Sequence, residues 1–142
     1  MSFDVISHLN WLAVVVAAIV YYAIGAAWFA PFAMGRMWQR SIGWDANQPA
    51  PGMTAMTIAL PLIAYFVAAI AVAMLAAATG SADFSTGVVL GLVVAVGFAG
   101  SILAVTAAFE TTKPQPWTWF GISFGYHLIG LVVTAVIVSV WV

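Results

Sequence analysis

Cysteine is absent from all 142 residues of the chain. Disulfides, thiolate nucleophiles and cysteine-ligated metal ions are excluded with it, although the redox compartment is left open. Charge is nearly absent as well. Lysine, arginine, aspartate and glutamate together make up 5% of the residues, against about a quarter in an ordinary soluble domain. With three basic residues and a net charge of −1, the chain has no cluster able to neutralise a row of phosphates, so nucleic acid is excluded as a partner. A nucleophile elbow, a phosphate loop, a dinucleotide fingerprint and a zinc-binding helix are also missing. No sequence feature argues for an enzyme, a cofactor or a metal. The N-terminal run Met-Ser-Phe-Asp-Val-Ile-Ser-His lacks the basic start of a secretory signal peptide, and the apolar run after it is too long for one. That run is expected to be retained as a span.

What the chain has in abundance is apolar surface: 65% hydrophobic residues and a mean hydropathy of +1.15. A core of this size cannot bury so much, and the excess must face hydrocarbon. Four apolar stretches, residues 11–30, 53–78, 84–109 and 117–142, are each about 20 to 26 residues long and so able to cross a bilayer core of roughly 30 Å as helices. Unpaired backbone groups are too costly in lipid for open strands, and the alternation of a β-barrel is absent. The fold expected is a single all-α transmembrane domain over residues 1–142, a four-helix bundle in the lipid bilayer.

Arg36, Arg40 and Lys113 all fall in the first and third connections. The positive-inside rule then places loops 31–52 and 110–116 in the cytoplasm and both termini outside. Tryptophan, which favours the headgroup level, agrees with these span ends: Trp11 and Trp141 mark one side, Trp28, Trp38, Trp44, Trp117 and Trp119 the other, and none lies mid-span. The first loop opens with helical periodicity. Met34, Met37, Trp38 and Ile42 fall on one side and Arg36, Gln39 and Arg40 on the other, so a short interfacial helix is expected over about residues 31–43, starting at Pro31. Arg36, Arg40 and Trp38 would be its anchors, serving either orientation or lipid and partner docking. Residues 45–52, Asp-Ala-Asn-Gln-Pro-Ala-Pro-Gly, read as irregular loop.

Inside the spans there is no Asp, Glu, Lys or Arg. His127 is therefore the only side chain there able to change charge near neutral pH. At 1.5 Å per residue it lies about 15 Å from the inner end of its span. The same ruler puts Tyr126, Tyr21, Tyr22, Tyr65 and Ser101 at similar depth on the four helices. Polar groups in hydrocarbon seek one another, so a buried cluster of His127 with one or more of the tyrosines is expected. It serves either as a ligand pocket or proton relay, or as a neutral imidazole that holds the helices in register. His8, ahead of the first span, is expected to be exposed and far from His127 in depth, which argues against a haem held by the two. Glu110 and Lys113 are expected to form a weak interfacial pair. Gly87 and Gly91, and again Gly121 and Gly125, are four apart and suit close helix contact within the chain or with a second copy. Pro61 should kink the second span.

Several of these residues also carry a family pattern. Asn10-Trp11-Leu12-Ala13, the run from Gly25 through Trp28 and Phe29 to Pro31, Gly35 and Trp38 resemble the N-terminal half of the small bacterial membrane family known as domain of unknown function 1761. Phe109-Glu110 and Gly125-Tyr126-His127-Leu128 resemble its C-terminal half. Phe29-Ala30 stand where that family's pattern would have Tyr-Ser. The resemblance covers nearly the whole chain and implies a four-span protein of the bacterial cytoplasmic membrane; it carries no activity. Two functions are then in competition: a homo-oligomer that binds or conducts a small solute near His127, and a non-catalytic accessory subunit of a larger membrane complex.

Overall fold

The structure, a computed structural model, describes residues 3–45 and 54–141. The expected start of the second span at Met53, most of the loop at 45–52 and the last expected span residue, Val142, lie outside them. Among the described residues there are helices and connections but no strand, and four helices are long and apolar enough to cross a membrane. They are α1 (Trp11–Trp28), α3 (Ala55–Thr79), a third span made of α4 (Phe84–Val94), a π-helical turn (Ala95–Gly100) and α5 (Ser101–Phe109), and α6 (Pro116–Val140). The short helix α2 (Gly35–Ser41) follows the first span, and a 3₁₀ turn, Phe3–His8, precedes it. The protein is an all-α, multi-pass membrane protein.

Local chemistry sets the ends. The Asn10 side chain accepts from the Ala13 N–H at 3.2 Å to start α1, and Thr54 does the same for Thr57 at the head of α3. Asp83 and Thr86 cap each other reciprocally at α4, and Pro116 opens α6 where a missing N–H costs nothing. Such caps contribute about 1 kcal/mol each. The N–H of Thr86, and after it the Ser85 hydroxyl, hold the Asp83 carboxyl below its usual range. At the far end of α3, Gly80 adopts the left-handed conformation, φ 68°, that closes the helix. Pro61 lies inside α3, which continues through it, although the Thr57 carbonyl loses its helical donor.

α6 is the hub. It packs against α1, α3, both halves of the third span and α2, while α3 meets α4 but has no comparable contact with α5. α1 and α6 run antiparallel, and the Asn10 Nδ2 donates to the Trp141 carbonyl at 2.9 Å, so both ends of the described chain lie on one side. That side is the terminal end; the opposite one, with all three basic residues, is the basic end. Where the four spans meet, the contacts are made by small residues. Ala17, Ala69, Ala95 and Ala135, one from each span, are fully buried. Lipid tails are as apolar as leucine, so only van der Waals contact and polar bonds hold such helices together, and both favour close backbones.

The third span shows this best. A side chain at Gly91 would come within 2.5 Å of the Val132 Cα, and one at Gly87 within 2.9 Å of that of Val136. The small face continues through Ala95 and then Gly100, where a Cβ would lie 2.8 Å from the Phe124 ring. The steps are four, four and five residues. The wider π turn supplies the fifth residue and keeps Gly100 on the α6 face.

The first connection differs from its expected form. Residues 31–34 form turns, the Met34 N–H bonds the Trp28 carbonyl, and the helix starts at Gly35 rather than Pro31. The reason is steric. Gly35 sits against the Phe29 and Ala30 carbonyls with no room for a Cβ, so the chain reverses sharply before it can coil. The Gln115 N–H then bonds the Ser41 carbonyl, tying α2 to the start of α6.

Candidate functional site

The site forms where α1, α3 and α6 meet in the half nearer the basic end. The Tyr21 Oη and the His127 Nδ1 are 2.6 Å apart. Tyr21 is 2% exposed and Tyr126 1%, while His127 is half-buried. The Tyr21 ring stacks on Tyr65 at 4.3 Å between centroids, and Tyr126 lies 5.4 Å from Tyr21, 5.9 Å from Tyr65 and 4.8 Å from the His127 ring. The Tyr126 hydroxyl reaches the Tyr21 carbonyl at 3.4 Å. Aromatic contacts of this kind add about 0.5–1.5 kcal/mol each beyond area burial.

Two glycines make this possible. Gly130 receives the face of Tyr21: a Cβ there would lie 2.8 Å from the ring's Cζ and closer still to its edge. Gly25 receives Tyr126, with the hydroxyl oxygen 2.9 Å from where a Cβ would be. Each tyrosine thus stands four residues before a glycine on its own helix and rests on the glycine of the other. One antiparallel register runs from Asn10 against Trp141, through Tyr21 against Gly130, to Gly25 against Tyr126. Trp28 closes the basic end of this seam, its Nε1 donating to the Ile122 carbonyl at 3.1 Å beside Gly125.

An aromatic chain links the site to α2. Trp38 of α2 packs edge-on against Phe29 at 5.7 Å, and Phe29 against Tyr126 at 5.3 Å. Arg36 and Arg40 are exposed on the same short helix. Glu110 and Lys113 pair at 2.6 Å, and Lys113 also lies 4.8 Å over the Trp119 ring. The Lys113 hydrogen bond, with those from Thr112, lowers the Glu110 carboxyl to about 2.

Of the residues singled out by depth, the structure brings His127, Tyr126, Tyr65 and Tyr21 together. Tyr22 lies beside Tyr65 without bonding His127. Ser101 stands apart: it is exposed, and its hydroxyl turns back along its own helix to the Gly97 carbonyl at 2.9 Å. The carbonyl one turn back is the nearest acceptor, and the side chain points away from α6. Gly87 and Gly91 seat on α6 and Gly125 faces Trp28, whereas Gly121 has nothing within 4 Å of its Cβ position. Gly130 is absent from the sequence reading and Gly25 enters it only as the start of the family pattern; their signal is a glycine four residues after a mid-span tyrosine, once on each helix. His8 is exposed at the terminal end.

Chemically the pair is a phenol and an imidazole sharing one proton across Nδ1. When Tyr21 donates, the other ring nitrogen, Nε2, carries the second proton. Among the described residues Nε2 has no hydrogen-bond partner. The arrangement defines a multi-pass helical membrane protein with one imidazole set in an aromatic seam. Over residues 12–139 the chain matches the family described as Protein of unknown function (DUF1761), and it belongs to that family. No curated protein and no solved structure matches it.

Proposed function

We propose that this protein binds a small solute at the free edge of His127, acting as a homo-oligomer of non-catalytic subunits in a bacterial cytoplasmic membrane, with loops 31–52 and 110–116 on the cytoplasmic side. The observation that carries the reading is the 2.6 Å contact between Tyr21 Oη and His127 Nδ1. It fixes the ring and leaves Nε2 as an unspent polar group at a depth where unpaired polar groups are costly. Phe120, Phe124 and His127 follow one another along one side of α6 at helical spacing, and on this reading a membrane-dissolved molecule with a hydrogen-bonding head reaches Nε2 along that side.

The second reading, an accessory subunit of a larger membrane complex, draws on a different observation. Gly97 and Gly121 lie on the third span and α6 with open space at their Cβ positions. Bare glycines are where a helix of another protein packs closely.

Native mass spectrometry after purification in mild detergent separates the two. The first reading expects a small oligomer that releases a bound molecule, and expects the His127→Ala protein to lose that molecule while keeping its oligomeric state. Stoichiometric recovery in a large complex, with no small molecule bound, would replace it with the second.

A further inference from the structure

A cavity lies at the terminal end, its α6 lining residues Val138 and Trp141 following His127 toward the end of that helix. It has a volume of about 320 Å³ and is walled by alanines of α1 and α3, namely Ala13, Ala73, Ala76 and Ala77. His8, Asn10, Ser81 and Trp141 also line it. Larger side chains would fill this space; four alanines facing one another leave it open. An apolar bowl of this volume under a few polar groups has the form of a small-molecule site, with room for roughly a dozen non-hydrogen atoms.

The charge at this end selects the ligand. All three Lys and Arg side chains, Arg36, Arg40 and Lys113, are at the basic end, and the terminal end holds Asp4 and Asp83. Two helices that line the cavity, α3 and α6, end there, and one, α1, begins there. Each helix end carries roughly half a charge, negative at C-termini, so two C-termini outweigh one N-terminus that Asn10 already caps. Of the carbonyls at these two C-termini, that of Ala76 accepts from the Gly80 and Ser81 N–H groups, that of Leu75 from the Thr79 hydroxyl and that of Trp141 from Asn10; the other last-turn carbonyls accept hydrogen bonds and offer none. Trp141 adds an aromatic face, which attracts cations.

We propose that this cavity binds a small cationic amphiphile, an ammonium group on a compact apolar or aromatic body, with the body among the alanines and the charge at the rim. The test uses the full-length protein in lipid nanodiscs and follows the Trp141 indole N–H signal by NMR during titration with benzyltrimethylammonium, and separately with benzenesulfonate. The expected result is a saturable shift with the cation and none with the anion, and a loss of affinity of about tenfold or more in Ala76→Leu, which fills the bowl. Ala77→Leu fills it from an exposed position and keeps the test open should the buried variant fail to fold. Equal binding of the sulfonate, unsaturable shifts, or unchanged affinity in Ala77→Leu would each overturn the proposal. None of these results depends on what happens at His127.

Discussion

The seat of Tyr21 on Gly130 lends itself to a test in which one substitution is made at two positions of α6. At position 130 an added methyl collides with the Tyr21 ring, whose Cζ is 2.8 Å away. That ring has little freedom to move, since it is 2% exposed, stacked on Tyr65 and bonded to His127. At position 121 the same methyl meets nothing within 4 Å. Replacing glycine by alanine in a helix interior stabilises by roughly 0.5–1 kcal/mol at either site. In the difference between Gly130→Ala and Gly121→Ala this gain cancels and leaves the collision, about 1–3 kcal/mol for overpacking a close-packed site. Displacing the ring also stretches the bond to His127, adding about 0.6 kcal/mol by the mean for bonds within membranes. Unfolding in detergent titrated with dodecyl sulfate, followed by tryptophan fluorescence, measures both variants on one scale. Gly130→Ala should be the less stable by the stated margin. Variants equal to within about 0.5 kcal/mol, the scatter of surface substitutions, would refute the register drawn between α1 and α6.

Three further outcomes follow from the same geometry. Tyr21→Phe keeps the ring and removes the hydroxyl, so stability should fall by about 0.6–1.7 kcal/mol while the His127 Nδ1 NMR signal shifts strongly; an unmoved signal would mean the pair is not formed. Because Glu110 is lowered from 4.5 to about 2 in the folded protein, its contribution is complete above the unfolded value and is lost as pH falls through the folded one. Stability of Glu110→Gln should therefore vary less than that of the unsubstituted protein between those values, and equal acid sensitivity would show the Lys113 pair to be without effect. The cysteine-free chain also allows single-cysteine mapping at two exposed positions, Ser7→Cys and Thr112→Cys. In intact cells an impermeant maleimide should label the first and spare the second, and the reverse pattern would invert the proposed orientation.

The four spans can be read from the sequence because hydrocarbon thickness sets a length that no other environment demands. The site is legible only in one coordinate. A rise of 1.5 Å per residue gives the height of a side chain in the bilayer and nothing about its direction around the helix. Tyr21 and Tyr22 differ by one residue in height but by about 100° in direction, and the structure gives His127 to Tyr21. Ser101 has a suitable height and the wrong direction. What fixes direction is the matching of tyrosines with Gly25 and Gly130, a relation between two helices that a reading along one cannot weigh. The start of α2 escaped for a similar reason: Pro31 suits a helix start, but the close approach of Gly35 to the Phe29 carbonyl is a contact across a turn.

The π turn can be regarded as surplus length. It lets the third span hold one residue more than a regular helix would need to keep Gly87, Gly91, Ala95 and Gly100 on one face. Deleting one residue between Ala95 and Gly100 lets the ladder close as an ordinary α-helix and leaves Gly100 four residues after Ala95, still on the α6 face. Closing the ladder as an α-helix with every residue kept would instead turn α5 by about 100° against α4, so the seats of Gly87 and Gly91 would survive and that of Gly100 on Phe124 would be lost. The width of this one turn thus acts as the rotary setting that decides which side of Ser101–Phe109 the membrane sees.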